Sequence, residues 1–125
     1  MQSNPLTVCL LLSSLLATGT GFTAEIAVRE FELAIPAAAV AAGPRVLRAR
    51  KDDVVRLKVT GEVAGDIHLH AYRLEAKVAP GAPAELSFTA RATGRFRIEW
   101  HRAGETAKKG DHHGPPLAFL EVRPR

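Results

Sequence analysis

Short runs of alternating apolar and polar residues, cut about every 8–12 residues by turn chemistry, leave this chain few folds to adopt. Val55, Leu57 and Val59 alternate with Arg56, Lys58 and Thr60. Leu47 and Ala49 alternate with Arg48 and Arg50, and Leu86, Phe88 and Ala90 repeat the pattern. Phe96, Ile98 and Trp100 face one way while Arg95, Arg97 and Glu99 face the other, and Ala118, Leu120 and Val122 form a last set. Side chains of a strand alternate faces with period two, so each run predicts a half-buried strand. Lys51-Asp52-Asp53, the Gly61 to Gly65 segment, Ala79-Pro80-Gly81-Ala82-Pro83 and Ala92-Thr93-Gly94 supply the breaks. No long amphipathic helix and no internal repeat occur. The pattern predicts an all-β Greek-key sandwich or barrel of about seven to eight strands.

Two stretches need a closer reading. Ile26 and Val28, then Phe31 and Leu33, change parity near Glu30. This predicts a first strand with a bulge. Asp66 to Val78 reads as a single strand, with His68, His70, Tyr72, Leu74, Ala76 and Val78 on one face. The second half of that face is apolar, so it is expected to face the core with the two histidines at its mouth. Residues i and i+2 of a strand lie about 6–7 Å apart at Cα, which lets two imidazoles lean onto one ion.

Residues 1–24 carry no charged side chain, and Leu6 to Ala17 is an apolar run followed by small residues. This predicts a secretory signal peptide over 1–24 and one folded domain over 25–125. The alternative is an uncleaved N-terminal anchor, the only route by which the chain would meet a membrane. Either way the domain is expected to be periplasmic or secreted.

The formal net charge of +4 rests mainly on arginines, and Arg48, Arg50, Arg56, Arg73, Arg95 and Arg97 are spread along outward strand positions. Nucleic-acid binding asks instead for a clustered basic face with stacking aromatics, so no nucleic-acid partner is expected. Cys9 is the single cysteine and Met1 the single methionine. Neither an intrachain disulfide nor a thiolate or thioether metal ligand is therefore available to the domain.

Taken together, Leu47 to Leu57, the run His68-Leu69-His70-Ala71-Tyr72, Val78-Ala79-Pro80-Gly81, Leu86 to Ala90, Gly94 to Ile98 and Leu120 to Pro124 resemble cupredoxin-like domains of exported bacterial proteins. The resemblance covers about Val46 to Pro124. It implies a Greek-key sandwich and places His70 at the first histidine ligand of a type 1 copper site. It places Trp100 near the strand end where the copper-binding cysteine would stand. With no cysteine there, no type 1 copper is expected, and electron transfer by that route falls away. The chain also departs from the family in having Ala71 where glycine is usual and Asp52-Asp53 at the usual Gly-Asp turn.

In such a sandwich the start of the His68 strand and the loop before the last strand meet at one end. The resemblance thus implies that His68, His70, His101, His112 and His113 gather at one pole. Imidazoles suit Cu²⁺ and Zn²⁺. Two functions follow as expectations. One is an exported metal-binding protein for copper or zinc sequestration, delivery or resistance, with the metal ion and another exported metal-handling protein as partners. The other is an interaction module with a vestigial, metal-free pole that Trp100 has filled. An enzyme is not expected, because the only inward polar groups are the histidines and Tyr72.

Overall fold

The protein is described by a computed structural model that covers residues 21, 25–37, 43–105 and 116–125. The expected signal segment lies outside these residues, apart from Gly21. The described residues form eight strands: β1 Val28–Ile35, β2 Arg45–Arg50, β3 Val54–Gly61, β4 Gly65–Leu69, β5 Leu74–Val78, β6 Ala84–Thr89, β7 Gly94–Arg102 and β8 Ala118–Arg123. They make a three-stranded sheet, ordered β1-β3-β6, and a five-stranded sheet, ordered β2-β8-β7-β4-β5. β1 runs parallel to β3 and β2 parallel to β8, while the remaining pairs are antiparallel. Parallel neighbours need a long crossover. Here the chain supplies it by passing to the opposite sheet and back.

The alternating runs become the facing layers of the sandwich. Leu33, Ile35, Val55, Leu57, Val59, Ala84 and Leu86 bury against Leu47, Ala49, Ile67, Leu69, Ile98, Leu120 and Val122. Each large side chain of this set, buried from an extended chain, contributes about 1.5–3 kcal/mol. Phe31, Tyr72, Leu74, Phe88, Phe96 and Trp100 pack on the core while remaining partly exposed.

β1 has no bulge. Its register with β3 is unbroken from Val28 opposite Val54 to Ile35 opposite Gly61. The inward parity is Arg29, Phe31, Leu33 and Ile35, and Val28 faces outward beside Glu30. An inward arginine is tolerated because Asp53, only 1% exposed, lies beside it.

The histidine stretch is two strands and not one. β4 ends at Leu69, residues His70–Tyr72 make one 3₁₀ turn, and β5 returns antiparallel from Leu74. Arg73 closes the turn in the left-handed conformation (φ 54°, ψ 41°), its N–H donating to the His70 carbonyl. It is therefore not an outward strand residue. Such a position normally selects glycine or asparagine. Here an arginine fills it, so the turn carries no sequence mark. The reversal changes parity. Ile67 and Leu69 face the core, and His68 faces outward, whereas Leu74, Ala76 and Val78 keep the expected inward side.

Tyr72 pins this turn. Its hydroxyl donates to the Ala92 carbonyl at 3.0 Å and accepts from the Ala92 N–H at 3.4 Å. Its ring lies 4.8 Å from that of Phe88 and meets Phe96 edge-on at 5.5 Å. Burial raises the phenol's pKa, opposed by the hydrogen bond with Ala92. Tyr72→Phe keeps the rings and loses the hydroxyl, so it is expected to cost about 0.5–1 kcal/mol in a urea melt. An unchanged midpoint would show that the hydroxyl contributes nothing.

Candidate metal centre

Register brings the histidines together. β4 and β7 are antiparallel, with Asp66 opposite His101 and His68 opposite Glu99. On the other side of β4, His68 is opposite Glu75 and Asp66 opposite Lys77. Directly opposed residues share a sheet face, with Cβ atoms about 5 Å apart. Ile67, Ile98 and Trp100 take the inner face, so His68, Glu75, Glu99 and His101 take the outer one. His70 begins the turn beyond Leu69 and reaches back over β7.

The His68 ring has the other two as neighbours. The His68 centroid lies 5.5 Å from that of His70, nearly stacked, and 4.8 Å from that of His101, edge-on. His70 Nε2 is 3.0 Å from Glu99 Oε2, and His101 Nε2 is 3.9 Å from the same oxygen. His68 Nδ1 lies 3.8 Å from Glu75 Oε2. The Glu99 side chain is only 12% exposed, and its second oxygen, Oε1, lies 3.4 Å from Arg97 Nε. His70 is the most exposed of the three histidines and so the most free to turn.

His70 and His101 thus flank His68, on the outer face of the five-stranded sheet and not at the mouth of the core. The reason is the parity change: Ile67 and Leu69 occupy the inward positions expected for His68 and His70. His112 and His113 lie outside the described residues. Glu99 was legible as an outward residue, but its partners were not, because they depend on the pairing of β4 with β7. Among the described residues no three His, Cys, Asp or Glu side chains converge, as they stand, closely enough to hold a metal ion.

The inner face of the same strand end is filled. A Cβ on Gly65 would overlap the Trp100 ring and the His101 carbonyl. The indole therefore lies directly on the glycine, near the strand end where the family resemblance places the absent cysteine. The arginines are also less scattered than their spacing suggested. Arg48, Arg50, Arg95 and Arg97 share the outer face of β2, β8 and β7 around Glu121, with Arg95 stacked 4.1 Å over the Phe119 ring. The Arg123 hydrogen bond, against a smaller opposing effect of burial, holds the Glu121 carboxyl below its usual range, helped by the charges of Arg123, Arg48 and Arg95. Among the described residues no helix is long and apolar enough to cross a membrane.

No family model matches the sequence, and no curated protein matches it. Solved structures do. A Cu-containing nitrite reductase from Thermus scotoductus superposes with a TM-score of 0.60 at 21% identity, over 78% of this chain and 28% of that one. A multicopper oxidase gives 0.56 at 20% identity, over 78% and 42%. A blue copper oxidase from Nitrosomonas europaea gives 0.55 at 18% identity, over 78% and 39%. The chain therefore spans less than half the length of each of these neighbours. Strand order, sandwich packing and these superpositions agree: the chain folds as a cupredoxin-like β-sandwich.

Proposed function

We propose that this chain is an exported metal-binding protein, not an enzyme, that holds one Cu²⁺ or Zn²⁺ ion on His68, His70 and His101. His112 and His113, which lie between β7 and β8 in the sequence, are auxiliary donors in this reading. The role is sequestration, delivery or resistance, with another exported metal-handling protein as the exchange partner. Copper in the names of the structural neighbours supports a copper-related role.

One observation carries this reading: the His68 imidazole lies 5.5 Å from that of His70 and 4.8 Å from that of His101, centroid to centroid. Imidazoles bound through nitrogens at ~2.0–2.1 Å to one ion have centroids roughly 4.5–5 Å apart, from right-angled to tetrahedral geometry. The observed spacings sit close to that, and modest ring rotations bring the nitrogens together. A type 1 copper site does not fit, because the folded part has no thiolate to supply. The packing of Trp100 on Gly65 favours the second reading, a metal-free interaction module, by occupying the inner end of β7.

Calorimetric titration with Cu²⁺ and with Zn²⁺ separates the two. His70→Ala and His101→Ala are each expected to weaken binding by about a hundredfold or more, which is roughly 2.7 kcal/mol. His68→Ala should also weaken it strongly, and His112→Ala or His113→Ala less. If the wild type binds neither ion tighter than ~100 μM, about −5.5 kcal/mol, the metal-free reading holds.

A further inference from the structure

We propose that Glu99 is a direct ligand of the same ion, making the centre a mixed imidazole–carboxylate site built on the outer face of β4 and β7. This rests on the metal-binding reading above. It adds a donor that none of the histidine spacings points to.

The bite of the pair supports it. Two ligand atoms held ~2.0–2.1 Å from one ion, and between a right angle and a tetrahedral angle apart, lie about 2.9–3.4 Å from each other. His70 Nε2 and Glu99 Oε2 lie 3.0 Å apart. An ion can replace the hydrogen bond between them without moving either backbone. His101 Nε2, at 3.9 Å from the same oxygen, is about half an ångström too far, and its ring is partly exposed and able to close that gap. Among the described residues the side chains, as they stand, do not form a closed ligand set, so binding requires these rings to turn.

Glu99 is also held in place. It sits opposite His68 in the ladder, it is 12% exposed, and Arg97 engages Oε1. That division leaves Oε2 turned towards the histidines. A carboxylate so far out of water needs compensating charge, and Arg97 with a divalent ion provides it. On the other side Glu75 lies 3.8 Å from His68 Nδ1. A carboxylate on the non-ligating nitrogen orients a metal-bound histidine. At 3.8 Å the contact is longer than a hydrogen bond, so Glu75 becomes a positioning residue only if it closes on Nδ1, whereas Glu99 is a ligand. An imidazole–carboxylate set suits borderline divalent ions, Zn²⁺ and Cu²⁺.

Zn²⁺ titration of the wild type, Glu99→Gln and Glu75→Gln tests the assignment. Glu99→Gln keeps size and hydrogen-bonding capacity but loses the charge, and is expected to bind Zn²⁺ at least tenfold more weakly. Glu75→Gln should lose less. A second measurement does not depend on the variant folding. In wild-type protein labelled at the glutamate carboxyl carbons, Zn²⁺ should shift the Glu99 resonance more than that of Glu75. Unchanged affinity in Glu99→Gln, with His101→Ala still weakened, or a Glu99 resonance indifferent to Zn²⁺ in a protein that binds it, overturns the assignment and leaves the histidine site standing. Failure of the wild type to bind Zn²⁺ or Cu²⁺ at all overturns both.

Discussion

Asp53→Ala is expected to destabilise the domain by about 3 kcal/mol, a large part of the ~5–15 kcal/mol that holds a domain of this size together. The carboxylate is 1% exposed at the turn between β2 and β3. It accepts from the Arg50 and Ala27 N–H groups and from the guanidinium groups of Arg29 and Arg125. Backbone bonds from Asp52 N–H to the Ala90 carbonyl and from Ala90 N–H to the Asp53 carbonyl fasten the same turn to the end of β6. Alanine leaves two cations and two N–H donors without their acceptor. The loss falls at the lower end of the range for a broken buried ion pair because Arg29 remains half in water.

Acid should reach the same contact. Burial pushes the Asp53 pKa up, but the Arg50 N–H, Arg29, the Ala27 N–H and the charge of Arg125 outweigh it and hold the group below its usual value. A carboxyl with a depressed folded-state pKa contributes its full stability above the unfolded-state value, about 3.9, and loses it as pH falls through that value towards the folded one. Urea melts from pH 6 down to about pH 2 should therefore fall more steeply for the wild type than for Asp53→Asn. Parallel curves would mean that the carboxylate's charge adds no stability.

Gly65→Ala is expected to cost at least the upper end of the ~1–3 kcal/mol typical of overpacking. One of the obstacles to the new Cβ is the Trp100 ring, which can shift. The other is the His101 carbonyl, which cannot move without moving β7. For a domain of about 100 residues this corresponds to a drop in Tm of roughly 10 °C or more. Gly43→Ala makes the control, since a Cβ there meets nothing within 4 Å. Because the obstructing carbonyl belongs to His101, metal affinity should fall together with Tm. A loss below about 1 kcal/mol would mean that the indole does not rest on Gly65.

Much of the fold is legible in the sequence, because burial in a sandwich follows period two. Inward positions in β2, β3, β6, β7 and β8 match the alternation residue for residue, from Leu47 and Ala49 to Ala118, Leu120 and Val122. The errors arise where one run hides a reversal or invites a false one. His70-Ala71-Tyr72-Arg73 turns the chain without glycine, proline or asparagine, so parity carried across it put His68 on the wrong face. Near Glu30 the opposite happened. Ile26 and Val28 are apolar but exposed, so they mimic a change of parity before Phe31 and Leu33 although β1 runs unbroken. Asp53 was read as turn chemistry, which is right for its backbone. Its burial depends on Arg29 and Arg125, far along the chain. Proximity of His68, His70 and His101 was expected from the family resemblance. Glu99 enters only with the β4–β7 register, which no local pattern encodes.

The most direct test of the proposed metal centre is the electron paramagnetic resonance and visible spectrum of the domain titrated with Cu²⁺, beside a His68→Ala/His70→Ala/His101→Ala variant. The expected result is one Cu²⁺ per chain in the wild type, with hyperfine coupling to imidazole nitrogens and only a weak visible band, lost together in the triple variant. A signal that stays that of hydrated Cu²⁺, one unchanged by the triple substitution, or an intense thiolate-to-copper band would contradict a histidine-held divalent ion.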